Sequence, residues 1–259
     1  MQFSSHMQDS QARITELEAE LRALRCEMQD FTCAMSHDLR APLRHIVSFA
    51  RLVEEDAGPQ LSAEIRGFLA TITGSAQQLG AMLDGLRELS RIGTQALAPQ
   101  SVALSGLVAE VAAELALARA PRQLALEVDA PDSPVAADAA MLRVVLFALL
   151  DNAWKFTAPL PEAQAKVRVR AWQPVPGTWS LEVEDNGVGF VATEPAVALR
   201  MFARLHAASA FPGLGIGLGL AAKAAQRMGG VLQLAPAQPV GCLATLSFPE
   251  ASLNVPRQS

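Results

Sequence analysis

The stretch Phe31–Ile46, FTCAMSHDLRAPLRHI, decides how the rest of this chain is read. Its apolar positions Phe31, Met35, Leu39, Leu43 and Ile46 recur every three or four residues, the period of one helix face. At its centre stand His37 and Asp38, followed by Arg40, Pro42 and Arg44. A neutral imidazole is a nucleophile, and a carboxylate beside it can accept the proton of one ring nitrogen while the other attacks. Pro42 cannot donate to the carbonyl of Asp38, so a bend is expected beside His37. A solvated histidine on an amphipathic helix would satisfy the same letters, and only the surrounding chain separates the two.

N-terminal to this stretch, Ile14, Leu17, Leu21, Leu24, Met28, Phe31 and Met35 alternate in steps of three and four. That is a heptad seam, too narrow to be covered by its own chain, and it predicts a parallel dimeric coiled coil. Cys26 and Cys33 lie on the outer side of that seam, where no disulfide is expected. The opening MQFSSHM reads as vector-derived, so residues 1–10 are set outside the fold. C-terminally the helix is expected to reach about Asp56, where Ala57-Gly58-Pro59-Gln60 breaks it and Ser62 caps a second helix. That helix carries Ile65, Phe68, Leu69, Ile72, Leu79, Leu83, Leu86 and Leu89 on one face. A hairpin of two such helices buries too little alone; two hairpins make a four-helix bundle, a second argument for a homodimer.

Residues 11–92 thus form an all-α dimerisation domain, 93–101 a polar linker, 102–250 a second domain and 251–259 a tail. In the second domain the pattern becomes α+β: a helix from Ser105 to Arg119, strands at Leu124–Val128 and Val135–Ala136, and Asp138 capping a helix to about Phe156. Strands follow at Lys166–Trp172 and Trp179–Glu184, then a helix Gly217–Met228 ended by Gly229-Gly230, then a hairpin of Val231–Leu234 and Leu243–Phe248. The expected architecture is a mixed sheet with helices on one face, a two-layer sandwich. A chain of 259 residues, 51% hydrophobic, holds both domains, and its net charge of -5 gives no footprint for nucleic acid. No apolar run approaches the roughly 18 residues of a membrane span, no secretory leader is expected, and three scattered cysteines suit a reducing cytoplasm.

Three segments of the second domain carry groups suited to a nucleotide. Asn152 and Lys155 share a helix face, an amide oxygen and an ammonium that together suit a hydrated Mg2+ and phosphates; Asp151 and Lys155, four apart, could equally form an ordinary ion pair. Asp185-Asn186-Gly187-Val188-Gly189 follows a strand, where glycines allow close approach and the carboxylate can accept from an exocyclic amine; an Asn-Gly hairpin turn is the alternative. Gly213, Gly215 and Gly217 open a helix, whose bare amides and dipole favour phosphate. No Gly-Lys-Ser/Thr follows and the run lies late in the chain, so it is neither a Walker loop nor a Rossmann fingerprint.

Ser36-His37-Asp38-Leu39-Arg40-Ala41-Pro42-Leu43 resembles the phospho-acceptor box of the sensor histidine kinases of two-component signalling, nearest in look to those joined to photoreceptor or PAS-type sensors. The three nucleotide segments resemble that family's N box and two glycine boxes, in the family's order, and Leu199–His206 resembles the phenylalanine box of its lid. The resemblance implies a Bergerat-type ATP-binding domain and transfer of the γ-phosphoryl of ATP to His37, with Asp38 as base and Arg204 facing the γ-phosphate. By the same resemblance Asn152 is the Mg2+ ligand, Lys155 a phosphate contact, Asp185 the reader of adenine, and Phe202 the anchor of the lid. The phosphoryl group then passes to a response-regulator receiver domain, and an upstream sensor domain is expected beyond this sequence. His45 and His206 stand beside no fitting box.

The chain departs from the pattern at Ala148, where a second Asn is usual, at Leu199, usually Phe, at Leu214, usually Thr or Ser, and at Gly219, usually Ala. Ala41 stands where many relatives carry a Thr or Asn that serves phosphatase activity, which implies that this activity is weak. Two other functions fit parts of the sequence: a chaperone-type ATPase on the same fold, and a catalytically inactive dimeric scaffold.

Overall fold

The structure, a computed structural model, describes the backbone of residues 2–119, 122–131, 133–190, 195–205, 210–211 and 213–252. Side chains in the first helix are described from Arg13 onward, except Glu18, Leu21, Arg22 and Arg25. The chain divides into two compact units, Met1–Thr94 and Gln95–Ser259.

The first unit is a helical hairpin. Helix α1 runs Gln2–Ala57, so the backbone of residues 2–10, expected outside the fold, is part of that helix. It continues through Pro42, whose ring removes one donor without ending it. A single 3-10 turn, Gly58–Gln60, leads to α2, Ala63–Thr94. Ser62 caps α2 as expected, its Oγ accepting from the Ile65 amide at 3.2 Å. Among the described side chains of the hairpin, Thr32, Ser36 and Ala50 on α1 and Ala76, Leu83 and Ile92 on α2 are buried. An Arg40–Asp84 ion pair crosses the hairpin. The larger apolar groups stay uncovered, with Leu24, Met28, Phe31, Phe49 and Phe68 all exposed. None of the described helices is long and apolar enough to cross a membrane.

The second unit is built on a five-stranded sheet. Its strands are β2 (Ala125–Asp129), β4 (Lys166–Val175), β5 (Thr178–Asp185), β7 (Cys242–Pro249) and β6 (Val231–Pro236), in that spatial order. The β2–β4 pairing is parallel and the others antiparallel. Alternation makes the sheet one-sided: Val167, Val169, Leu181, Val183, Leu246 and Phe248 are buried, while Arg168 and Arg170 on the other face pair with Glu127 and Glu182. The buried face packs helices α3 (Leu104–Ala118), α4 (Ala139–Phe156) and α6 (Gly217–Arg227), the expected two-layer sandwich. A four-residue helix, α5 (Pro195–Ala198), precedes the lid segment.

Local signals hold where they were read. The Asp138 side chain accepts from the Met141 amide at 3.0 Å and caps α4. Gly229, at φ 74°, and Gly230 close α6 in a Schellman motif, the Gly230 amide reaching Ala225 O at 2.8 Å. The last residues of the expected linker are ordered as a strand: Pro99–Val102 is β1, paired antiparallel with β3 (Val135–Asp138). The second Asp138 oxygen accepts from the Ala98 amide at 2.8 Å, fixing the entry to that strand. At the other end the Ala251 amide donates to Ala136 O at 2.8 Å, which ties residue 251 to β3.

Candidate functional site

His37 stands on α1 one residue after the fully buried Ser36, so the helix turns it outward. Its side chain is 86% exposed, and Nδ1 lies 3.2 Å from Asp38 Oδ1. Facing a carboxylate, Nδ1 is the protonated nitrogen, which leaves the Nε2 lone pair open to solvent. One turn on, Arg40 pairs with Asp84 on α2, a partner that local spacing does not indicate.

In the second unit the nucleotide residues converge on the C-terminal half of α4. Lys155 Nζ lies 3.3 Å from Asn152 Oδ1, on one face as expected, and 4.4 Å from the centroid of the Phe156 ring. Asp151 does not take Lys155 in an ion pair; it is bound by Arg119 from α3, through Nε at 2.9 Å and through Nη2. Burial holds the Lys155 ammonium below the usual lysine pKa; Asp151 opposes this, and Arg204 and Arg119 add to it. Arg204, in the lid segment, donates from Nη2 to Phe211 O at 2.7 Å, and Phe211 packs edge-on against Phe156 at 5.0 Å. His206 lies outside the described residues.

Asp185 ends β5 with its carboxylate buried. Its Oδ1 accepts from the Gly187 amide at 2.8 Å, and the Cys242 amide on β7 also bonds it. Burial outweighs these donors and raises its pKa to about 6. The half-buried Cys242 thiol is pushed up to about 12 by burial and by the Asp185 charge, and so stays protonated. The Val188 amide donates to Phe156 O at 3.1 Å, tying the Asp-x-Gly-x-Gly turn to the end of α4. Gly189 backs onto Gly241, and Gly241 is a residue the sequence reading missed. At φ 132° it has no room for a side chain: a Cβ there would sit 1.9 Å from Asp185 O.

The second glycine segment borders the same space. A Cβ on Gly213 would lie 3.6 Å from Lys155 Nζ, and one on Gly217 would lie 3.6 Å from Ala148 Cβ. Ile216 gives α6 no side-chain cap, which leaves its first-turn amides to an outside acceptor. Gly215, at φ 70°, lies against the lid: a Cβ would meet Ala203 O at 2.2 Å, and its carbonyl accepts from the Phe202 amide at 2.7 Å. The Phe202 ring itself is exposed; the segment is held through the Phe202 backbone, and Met201 lies against Gly219. Leu199, in place of Phe, lines a shallow, open and largely apolar groove with Leu232, Leu234 and Leu243.

Met201 also explains Gly219. A Cβ there would fall 2.6 Å from Met201 Sδ and 3.0 Å from Met201 N. Gly219→Ala gains helix propensity worth about 1 kcal/mol, but the overlap is expected to outweigh it. The net expectation is a loss of roughly 1–2 kcal/mol in urea unfolding; an equally or more stable variant would show that Met201 yields freely.

These groups fit a nucleotide: a carboxylate with backbone donors at one end, bare helix amides and two cations at the other. For Mg2+ they offer one neutral oxygen, Asn152 Oδ1, since Ala148 presents only a methyl group to Gly217. That suits an ion held mainly by phosphates and water.

Two family descriptions match in tandem. Residues 27–95 match the His Kinase A (phospho-acceptor) domain, and 137–252 match the histidine kinase-, DNA gyrase B- and HSP90-like ATPase. The circadian input-output histidine kinase CikA of Synechococcus elongatus is 27% identical over 98% of this chain and 35% of its own length. The aerobic respiration control sensor protein ArcB of Escherichia coli is 29% identical over 84% of this chain and 28% of its own. The chain therefore spans about a third or less of these curated relatives. Among solved structures, full-length ShkA in complex with AMPPNP superposes with a TM-score of 0.61 at 25% identity, covering 87% of this chain and 47% of that one. With an acceptor domain and an ATPase domain in this order, and relatives aligned across both, the chain belongs to the sensor histidine kinases of two-component signalling.

Proposed function

We propose that this chain is an ATP-dependent protein-histidine kinase whose phosphohistidine supplies an aspartate on a response-regulator receiver domain. The observation that carries this reading is the state of His37, with Nδ1 held by Asp38 and the rest of the ring in solvent. Nε2 attacks the γ-phosphorus, forming an N–P bond as the bridging O–P bond to ADP breaks, and Asp38 accepts the Nδ1 proton. Asp185 accepts from the adenine amine, while Gly187 and Gly189 let the backbone approach the base. Amides about Gly213, Gly215 and Gly217 receive the phosphates, and Lys155 and Arg204 offset their charge. Asn152 would hold Mg2+, which when bound neutralises charge on the β- and γ-phosphates. The AMPPNP complex of ShkA supports a nucleotide on this fold.

Incubation with γ-labelled ATP and Mg2+ tests the reading. Acid-labile label on the protein is expected. Release of free phosphate alone would indicate a chaperone-type ATPase, and no turnover would indicate an inactive scaffold.

The working form in this proposal is a cytoplasmic homodimer, coupled through α1 to an upstream sensor of PAS or photoreceptor type. Support comes from the uncovered seam, where Leu24 is 67% exposed. Leu24→Asp would place two carboxylates in an apolar contact and should weaken association by roughly 2 kcal/mol or more. Light scattering that still finds a full-strength dimer would assign dimerisation to the hairpin alone.

A further inference from the structure

Asp151 and Lys155 stand four residues apart on α4, a spacing at which a carboxylate and an ammonium ordinarily pair. Here the carboxylate is turned to α3, where one Asp151 oxygen accepts from two nitrogens of Arg119. Among the described residues no carboxylate lies within ion-pair distance of Lys155, whose nearest polar partner is the neutral Asn152 amide at 3.3 Å. Arg119 also adds its field to that of Arg204 at the Lys155 ammonium, so two cations there oppose the one nearby anion, Asp151. We infer that Arg119 is a positioning residue for the nucleotide: by holding the Asp151 carboxylate it keeps Lys155 open to the phosphates. A guanidinium suits this task, since it stays charged at every working pH and binds a carboxylate through a rigid fork. Asp151 is three-quarters buried, so its charge, once released, is poorly screened and has Lys155 as its nearest cation on the same helix.

The inference rests on the reading that Lys155 meets phosphates, and the test keeps the two apart. Mg·ATP affinity is measured by calorimetry, and autophosphorylation by the dependence of rate on ATP concentration. Arg119→Gln is expected to raise the Kd for Mg·ATP roughly ten-fold, because the phosphates must now displace Asp151 from Lys155. The half-saturating ATP concentration should rise with it while the rate at saturating ATP stays within about two-fold, as expected when binding is lost equally in the ground and transition states. The double variant Arg119→Gln/Asp151→Asn should recover affinity to within about three-fold of the unchanged chain, since no carboxylate is left to compete. Unchanged affinity in Arg119→Gln would overturn the inference. So would a double variant as weak as the single one, which would mean that Arg119 touches the nucleotide itself or only tethers α3 to α4. If the unchanged chain bound no Mg·ATP, the nucleotide reading itself would fall, and this inference with it.

Discussion

His37→Gln should take up no acid-labile label from γ-labelled ATP while binding Mg·ATP as tightly as the unchanged chain. The two halves of this expectation belong to different units, since His37 lies on α1 and every group assigned to the nucleotide lies beyond Gln95. A glutamine amide has no basic nitrogen with which to attack phosphorus, so the loss should be complete rather than graded. The helix should tolerate the change, because the histidine side chain is 86% exposed and glutamine is a good helix former. Asp38→Asn gives the graded counterpart. An asparagine can still accept from Nδ1 but cannot take its proton, and labelling should slow by roughly 10²–10⁴-fold, the usual worth of a positioned base. Label that survives in His37→Gln would move the acceptor elsewhere and remove the central assignment.

What the sequence disclosed about the fold was chiefly local. Ser62 and Asp138 cap the helices that follow them because a short oxygen-bearing side chain satisfies amides two or three residues on, a relation contained in a few adjacent letters. The Gly229-Gly230 stop is of the same kind. Contacts made across the chain were not legible. Residues 99–101 looked like part of a linker because their partners on β3, Asp138, Ala137 and Ala136, are distant in the chain, and only that pairing makes a strand of them. Gly241 stood in a Pro-rich turn, and nothing beside it signalled that β5 passes so close that Asp185 O excludes a Cβ. The choice between Asp151–Lys155 and Asp151–Arg119 is of this sort too: spacing offers the first pair, and only the packing of α3 beside α4 supplies the second. At Gly219 the departure from the familiar alanine is matched by Met201, a neighbour in space that the order of letters conceals.

Asp185→Asn should move stability and affinity in opposite directions. Burial raises the folded-state pKa of Asp185 from an ordinary 3.8 to about 6. A group whose pKa is raised on folding favours the fold most when protonated. Its contribution is therefore full below about pH 4 and is lost as the pH rises through 6. At pH 7.5 the ionised, buried carboxylate costs the free protein on the order of 3 kcal/mol relative to its neutral form. Asparagine keeps an oxygen for the Gly187 and Cys242 amides but carries no charge. The nucleotide-free variant should thus be more stable than the unchanged chain at pH 7.5, by roughly 1–3 kcal/mol, with the difference shrinking toward pH 4. Affinity should go the other way. If the carboxylate accepts from the adenine amine, its replacement weakens Mg·ATP binding by about 1.5–3 kcal/mol, because a charged acceptor is lost. The same charge should make binding by the unchanged chain strengthen between pH 5 and 7 more than binding by the variant does, since ionisation of the terminal phosphate is common to both. Urea unfolding and calorimetric titration, each repeated at pH 5 and pH 7.5, read both effects. An affinity equal in the two proteins at pH 7.5 would take Asp185 out of the nucleotide site. A variant no more stable than its parent there would mean that water reaches the carboxylate and that burial does not govern its charge.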